Sequence, residues 1–395
     1  MFTYMYWPMV VGKGTRYPRV LSELLQDKYK LTVITRHVDD HNKRRFTRER
    51  DEKTDIVRIP HFSFKASGYF ARAMTYFSFS LACLLALRYV EKGSILFGVH
   101  PEPPFFALTV PIARAIRSSK YLSLITDLLP DNAFEIDIVK KGLLRKIITW
   151  FCLASYRQPD HIIVITEAIR SRLIEYGISS KRISLVELAV DIDTFRPIQV
   201  DVAKLGLPEM ANKFIVLYSG SFGYRYDFDV ILDSAKELGK VTNMIHFIIR
   251  GDGDQKEYIK KKIYELRPVN VSLLDPVTDT ETVVSFINAA SVCVIPIRDS
   301  KSMDMTHPSK LLEFWSCGKP VICTTTGSTA KLIREFDAGI AIDPMDKEAL
   351  VRAILFLFEN PKKLMDMGRN GRINVMNSFS FNRIREKLCK ELDQL

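Results

Sequence analysis

Apolar runs of about four or five residues recur along the whole chain. Each is followed by a longer stretch whose apolar positions fall three and four apart. Runs of that length, rich in Val, Ile and Leu, suit strands buried on both faces, and the 3.6-residue periodicity between them suits amphipathic helices. In the first half the strand-like runs are 31–35, 55–59, 95–99, 121–126, 162–166 and 183–186. In the second half they are 214–218, 245–249, 271–274, 292–295, 321–324 and 339–342. Repeated strand–helix alternation predicts parallel sheets covered by helices on both faces. A chain of 395 residues is long for one domain, and two sets of strands parted near residue 197 predict two doubly wound domains facing a central cleft. Ligands in such sheets bind beyond the carboxyl ends of the strands.

The segment 307–326 is the most informative stretch. Pro308 and Ser309 predict a helix start with Ser309 as N-cap, and Gly318 suits the position just past the helix end. Leu311, Phe314 and Trp315 make an apolar stripe, while Ser309 and Glu313 share another face. A carboxylate one turn inside a helix whose first N–H groups attract anions suits a ligand bearing both hydroxyls and phosphates. An exposed Glu on an ordinary surface helix is the competing reading of the same residues.

Other candidate positions follow the strand ends. Gly12-Lys13-Gly14 precedes a helix, His100-Pro101-Glu102 follows the run 95–99, and Asp127 follows the run 121–126 with Pro130 and Asp131 close behind. Gly220-Ser221-Phe222-Gly223 follows 214–218, with Arg225 two residues on, and Arg250-Gly251-Asp252-Gly253 follows 245–249. Glycine lets a backbone approach a phosphate closely. None of these loops matches G-x-G-x-x-G or the P-loop pattern, which removes the main support for a dinucleotide dehydrogenase or an NTPase.

Charge and cysteine usage narrow the setting. Residues 1–195 hold 29 Lys/Arg against 20 Asp/Glu, whereas residues 196–395 hold 28 against 26. The basic excess, including Lys43, Arg44, Arg45, Arg48 and Arg50, predicts an anionic partner for the first half or a solvated basic face. Nucleic acid is disfavoured, because the basic cluster lacks interleaved aromatics and any nucleic-acid motif. Six scattered cysteines predict reduced thiols in a cytoplasmic protein, and residues 1–7 lack the features of a secretory leader. Between Arg72 and Arg88 lie fifteen uncharged residues, too short and too hydroxylated for a span. They predict a buried or interface-lying helix whose basic flanks suit peripheral contact with the inner face of a membrane. Dispersed histidines and the lack of a D-x-D triplet at a strand end predict no metal site.

These residues resemble the GT-B retaining glycosyltransferases of family 4, in the subgroup that builds lipid-linked glycans and surface polysaccharides. The resemblance covers nearly the whole chain. It rests on Pro308-Ser-Lys-Leu-Leu-Glu313-Phe…Cys317-Gly-Lys-Pro-Val-Ile322, on Val190-Asp-Ile-Asp-Thr-Phe-Arg-Pro197 and on Gly251-Asp-Gly253, with Gly220-Ser-Phe-Gly223 and the strand leading to Asp127 in support. It implies an acceptor-binding domain over residues 1–197 and a donor-binding domain over 198–395, with the last helix a candidate to cross back to the first domain. It implies a nucleoside diphosphate sugar as donor, a lipid-linked or glycan acceptor and no cofactor. Glu313 would hold the ribose hydroxyls, and N–H groups around Ser309, Lys310 and Leu311 would face the diphosphate. Gly220 and Ser221 would line the phosphates, and Arg250, Gly251 and Gly253 would edge the base. Gly12 and Gly14 would approach the donor phosphate or the acceptor, and Asp127 would lie close to the reacting sugar.

The chain departs from the family pattern at several places. Met305 stands where the first Glu of the E-x7-E motif falls, with Asp304 one position off. The family's cations on the diphosphate are replaced around Ser221 and Tyr226, which leaves Arg225, with Lys310, to compensate. Leu188-Ala189 replaces the usual Asn-Gly, and only seven residues precede Pro8, which makes a short first strand. A sugar-nucleotide epimerase or phosphorylase-like enzyme on the same fold is the alternative, and a non-catalytic partner is another. The basic first half and the apolar 73–87 segment speak against a small soluble acceptor.

Overall fold

The computed structural model describes residues 1–4, 6, 13–37, 45–60, 62, 69–99, 106–131, 142–277 and 279–395. Two compact units divide it, one of Met1–Glu187 with Ile384–Leu395 and the other of Leu188–Arg383.

The first unit runs α1 (Lys13–Leu25), β1 (Leu31–Arg36), β2 (Thr47–Asp51), β3 (Thr54–Ile59), α2 (Tyr69–Ala86), β4 (Leu96–Val99), α3 (Phe106–Arg117), β5 (Tyr121–Ile125), α4 (Leu143–Arg157), β6 (His161–Val164), α5 (Glu167–Glu175) and β7 (Ile183–Leu185). Its strands fall in two groups, β1-β3-β2 and β4-β5-β6-β7. Phe2 makes parallel bridges to both Ile34 and Gly98 and so joins the groups into one sheet. Its N–H donates to the Phe97 carbonyl at 2.7 Å, and the Ile34 N–H donates to the Met1 carbonyl at 2.8 Å. The short first strand expected from the sequence is represented by the two bridges of Phe2, with the buried Thr3 N–H donating to the Ile34 carbonyl at 3.1 Å. All pairs are parallel except β2 with β3.

Strand β2 is the element that hydrophobic periodicity misses. Its sequence, Thr-Arg-Glu-Arg-Asp, is polar at every position because it is the sheet's edge, half-exposed or exposed throughout. Charged side chains on an edge strand discourage pairing with another chain. Part of the basic cluster is thus spoken for: Arg48 pairs with Asp55 at 3.1 Å, and Arg50 donates to the Glu52 carbonyl at 3.2 Å.

Helix α2 matches the apolar segment between Arg72 and Arg88. Its hydroxyls are satisfied on the helix itself, Ser80 donating to the Tyr76 carbonyl at 2.9 Å and Ser78 to that of Thr75 at 3.0 Å. Phe79, Ala82, Cys83 and Ala86 pack into a core with Phe2, Ile34, Val57, Leu96 and Val110. No helix among the described residues is long and apolar enough to cross a membrane. All six cysteines are buried and free.

The second unit runs β8 (Phe214–Ser221), α6 (Phe228–Val241), β9 (Ile245–Asp252), α7 (Lys256–Leu266), β10 (Val271–Leu274), α8 (Thr280–Ala289), β11 (Val292–Ile295), α9 (Ser309–Ser316), β12 (Val321–Thr324), α10 (Ser328–Glu335), β13 (Gly339–Ile342), α11 (Lys347–Glu359) and α12 (Pro361–Ser378); the last helix, α13 (Phe381–Asp393), belongs to the first unit from Ile384 on. Its sheet has the order β10-β9-β8-β11-β12-β13, parallel throughout. Strand order reverses between β8 and β11, which makes their carboxyl ends the switch point where doubly wound sheets bind ligands. Within the first unit, α13 is tied down at its end, where Asp393 accepts from Tyr29 Oη at 2.6 Å and Glu391 accepts from Ser184 Oγ at 2.7 Å.

Candidate functional site

The carboxyl end of β8 is built around glycine. Gly220 lies opposite Gly251 in the β8–β9 register, at φ +142° and φ +155° respectively. A Cβ on Gly251 would stand 1.8 Å from the Gly220 carbonyl oxygen. Only glycine permits both that φ and that approach. The loop that follows is fixed by Gln255, a buried side chain whose amide donates to the carbonyls of Gly223 at 2.8 Å and Tyr226 at 3.0 Å.

Against Gly220 lies the ammonium of Lys310. A Cβ placed on Gly220 would be 2.6 Å from Lys310 Nζ and 3.1 Å from Lys310 Cε. Lys310 is only 8% exposed. Its Nζ sits 4.1 Å from the Tyr218 ring centroid and 4.2 Å from that of Tyr226. Burying an ammonium costs several kcal/mol in order of magnitude, about 2 of which two desolvated aromatic faces can offset. Tyr218 is itself locked, its hydroxyl donating to the Ser221 carbonyl at 2.5 Å. Burial pushes the Tyr218 phenol well above its usual range, so the ring under the ammonium stays neutral.

The sequence singles out Arg225 as the nearest replacement cation. In the structure Arg225 is exposed on the turn after Gly223, and its carbonyl accepts from the Arg298 N–H at 3.0 Å. The cation packed on Gly220 is Lys310, supplied by a different element. Nothing in the local pattern of residues 220–226 reveals this. The two rings that support the ammonium come from separate places, Tyr218 within β8 and Tyr226 at the position where a diphosphate cation is expected.

Lys310 is placed there by α9. The expectation that Ser309 caps this helix is corrected: Pro308 is the N-cap, extended at ψ 128°, and Ser309 is already helical. Pro308 lacks an N–H and fixes the chain's entry, and the Leu311 N–H closes the first turn on the Pro308 carbonyl at 3.0 Å. Leu311, Phe314 and Trp315 are fully buried, and the Trp315 indole donates to the Ala338 carbonyl at 2.8 Å. At the other end Gly318, at φ +71°, sits just past the helix as the sequence predicts, its N–H donating to the Trp315 carbonyl. Glu313 is half-buried, one turn after Ser309. Met305 ends a short 3-10 turn, and the neighbouring Asp304 accepts from Thr325 Oγ1 at 3.2 Å.

Arg250, the residue before Gly251, is 4% exposed. It donates to Ser219 Oγ at 2.9 Å and stacks at 4.8 Å on the Phe286 ring. Burial lowers its pKa, with Asp279 acting in the opposite direction. Gly253, at φ +146°, lies 3.0 Å from the Phe222 backbone measured from a would-be Cβ.

In the first unit, Asp127 is half-buried just past β5. The chain beyond it is pinned, Asp131 accepting from Arg172 at 2.9 Å and from Tyr176 at 2.5 Å, and Tyr156 donating to the Leu129 carbonyl at 2.8 Å. Gly14 falls in the first turn of α1. Gly12 and His100-Pro101-Glu102 lie outside the described residues. Among the described residues no group of three or more His, Cys, Asp or Glu side chains is arranged to hold a metal ion.

Two family models match, "Glycosyltransferase Family 4" over residues 14–194 and "Glycosyl transferases group 1" over residues 201–374. The chain belongs to the GT-B glycosyltransferases of the family 4 type. It is 21% identical over 374 residues to the putative colanic acid biosynthesis glycosyl transferase WcaI of Escherichia coli, covering 88% of this chain and 89% of that one. Sucrose-phosphate synthase of Thermosynechococcus elongatus has the same fold, with a TM-score of 0.81 and 19% identity over 100% of this chain and 98% of that one. HepE of Anabaena, solved in complex with UDP-glucose, superposes with a TM-score of 0.74 at 15% identity, with 100% of both chains covered. The chain is thus a glycosyltransferase.

Proposed function

We propose that the chain transfers a sugar, with retention, from a nucleoside diphosphate sugar to a lipid-linked or polysaccharide acceptor, and that it does so without a metal ion. The observation that carries this reading is the Lys310 ammonium packed on Gly220 at the carboxyl end of β8. A leaving diphosphate gains negative charge in the transition state. A preorganised cation and helix N-terminus, already desolvated, stabilise that charge more than water does. Lys310 and the first turn of α9 bring both to one place. Glu313, one turn further in, suits the ribose hydroxyls, and Arg250 with Gly251 and Gly253 suits the base. Ser221, exposed beside Gly220, lines the phosphates with it. Asp127 and Gly14 belong to the acceptor-binding unit, with Asp127 the polar group for the reacting sugar. Arg225, exposed on its turn, has a supporting part at most.

Relatives favour this donor and acceptor class: HepE is solved with UDP-glucose, and WcaI is described as a colanic acid biosynthesis enzyme. The test is a panel of UDP-, GDP- and ADP-sugars assayed by slow donor hydrolysis in excess EDTA. One nucleotide series is expected to turn over at an undiminished rate in chelator. Loss of turnover with EDTA and its rescue by Mn²⁺ would contradict metal independence, and no turnover of any series would contradict the donor class.

A further inference from the structure

Within the second unit, the segment that leads into α9 is sewn by side-chain hydrogen bonds to the loop and first turn of α10. Thr325 Oγ1 donates to Asp304 Oδ1 at 3.2 Å, and Ser328 Oγ donates to the Asp304 carbonyl at 2.8 Å. Thr329 Oγ1 donates to the Thr306 carbonyl at 3.0 Å, and His307 Nδ1 meets the same Thr329 Oγ1 at 3.2 Å. Gly327 closes the seam, since a Cβ there would stand 2.3 Å from Asp304 Cα. Thr306 and Thr329 are buried, whereas the His307 ring is half-buried. These bonds fix the tautomer of His307. A carbonyl can only accept, so the single hydroxyl proton of Thr329 goes to Thr306, and Nδ1 must donate to Thr329 Oγ1. The neutral imidazole then carries no proton on Nε2, which is an acceptor.

The place of that acceptor along the chain indicates its partner. In the donor reading above, Glu313 takes the ribose hydroxyls and Lys310 the diphosphate. His307 lies three residues further on in the same direction, just before the Pro308 cap. A nucleoside diphosphate sugar has the same order of parts: ribose, diphosphate, sugar. The group beyond Lys310 is therefore the sugar, whose hydroxyls need acceptors as well as donors. Of the neighbouring side chains, Met305 offers only a weak thioether, and Asp304 Oδ1 already accepts from Thr325. We propose, on that donor reading, that His307 accepts a hydrogen bond through Nε2 from a hydroxyl of the donor's sugar. Thr329 holds the ring in its Nδ1–H form and orients it before the sugar arrives. A sugar deoxygenated at that position forfeits the bond, so His307 selects for the hydroxyl.

Calorimetric titration of UDP-glucose, GDP-mannose and ADP-glucose, each beside its own nucleoside diphosphate, tests this. His307→Asn keeps an N–H at the Nδ1 position for Thr329 but loses the acceptor at Nε2. His307→Gln instead puts a carbonyl oxygen at the Nε2 position. For at least one of the three pairs, His307→Asn should weaken the nucleotide sugar by about three- to tenfold and leave the matching diphosphate unchanged. His307→Gln should restore binding to within about twofold of wild type. Monodeoxy analogues of that nucleotide sugar identify the hydroxyl. One of them should bind wild type about three- to tenfold more weakly than the parent, yet bind His307→Asn as well as the parent does. Equal weakening of nucleotide sugar and diphosphate would mean that the ring only holds α9 in place, and would overturn the proposal. So would nucleotide sugars unaffected by His307→Asn, or a loss that His307→Gln fails to rescue. Binding of no diphosphate by the wild-type protein would remove the donor reading itself, and the role of His307 with it.

Discussion

Helix α7 of the second unit and helix α4 of the first each follow a strand of a largely parallel sheet, yet they face solvent differently. The outward side of α7 carries alternating charges in neutralising pairs, Lys260 with Glu257 at 2.8 Å and Lys261 with Glu265 at 3.7 Å. The outward side of α4 carries Leu143, Ile147 and Trp150 and no anion. At the strand ends the contrast inverts. The second unit packs a buried ammonium against two facing glycines at the carboxyl ends of β8 and β9, whereas the chain after β5 in the first unit is held by partly exposed ion pairs such as Arg172 with Asp131. One β-α plan thus builds both units, and the side chains at strand ends and on helix faces set their tasks.

The sharpest way to break this contrast is at the glycines. Gly251→Ala forces a Cβ into the Gly220 carbonyl and should cost roughly 3 kcal/mol of stability, seen as a lowered urea midpoint of the second unit. A variant as stable as wild type would mean that the β8–β9 ends are not rigidly held. Next comes the cation. Lys310→Met should lower donor turnover by roughly 10²–10³-fold with the fold retained, whereas Arg225→Met should cost less than about tenfold. A reversed order in kcat would return the role to Arg225. Glu313→Ala should raise the donor KM by about tenfold to a hundredfold, the worth of hydrogen bonds to a charged group, and leave kcat less affected. Unchanged donor kinetics would remove the ribose role.

The smallest effect concerns the end of α13 and depends on pH. Hydrogen bonds from Lys28 and Tyr29 hold the Asp393 carboxyl below its usual value of 3.8. A carboxyl lowered in the folded state stabilises fully above its unfolded pKa and loses that contribution as pH falls through its folded value. Asp393→Asn should therefore lower Tm slightly near neutral pH, and the gap from wild type should close below about pH 4. A gap that stayed constant with pH would show that the carboxylate contributes no charge-dependent stability.

The fold was legible because the strands of parallel sheets are continuous apolar runs, and each run named from the sequence forms a strand. Strand β2 escaped because an edge strand needs no apolar face. In the candidate site, the glycines and Gly318 were visible since φ and close approach leave few other residues possible. The placement of Lys310 was not, because its aromatic support comes from Tyr218 and Tyr226, some ninety residues upstream in sequence. Helix α2 was visible as the uncharged 73–87 segment, whereas the exposure of Ile112, Ile116 and Trp150 was not, because it depends on which face of each helix the rest of the unit covers.

The central claim is that the Lys310 ammonium is the diphosphate cation of the donor site. Calorimetric titration of the preferred nucleoside diphosphate and of its parent nucleoside, into wild type and Lys310→Met, addresses it most directly. The account predicts that the substitution weakens diphosphate binding by about ten- to a hundredfold while nucleoside affinity stays the same. Equal weakening of both ligands, or of neither, would contradict it.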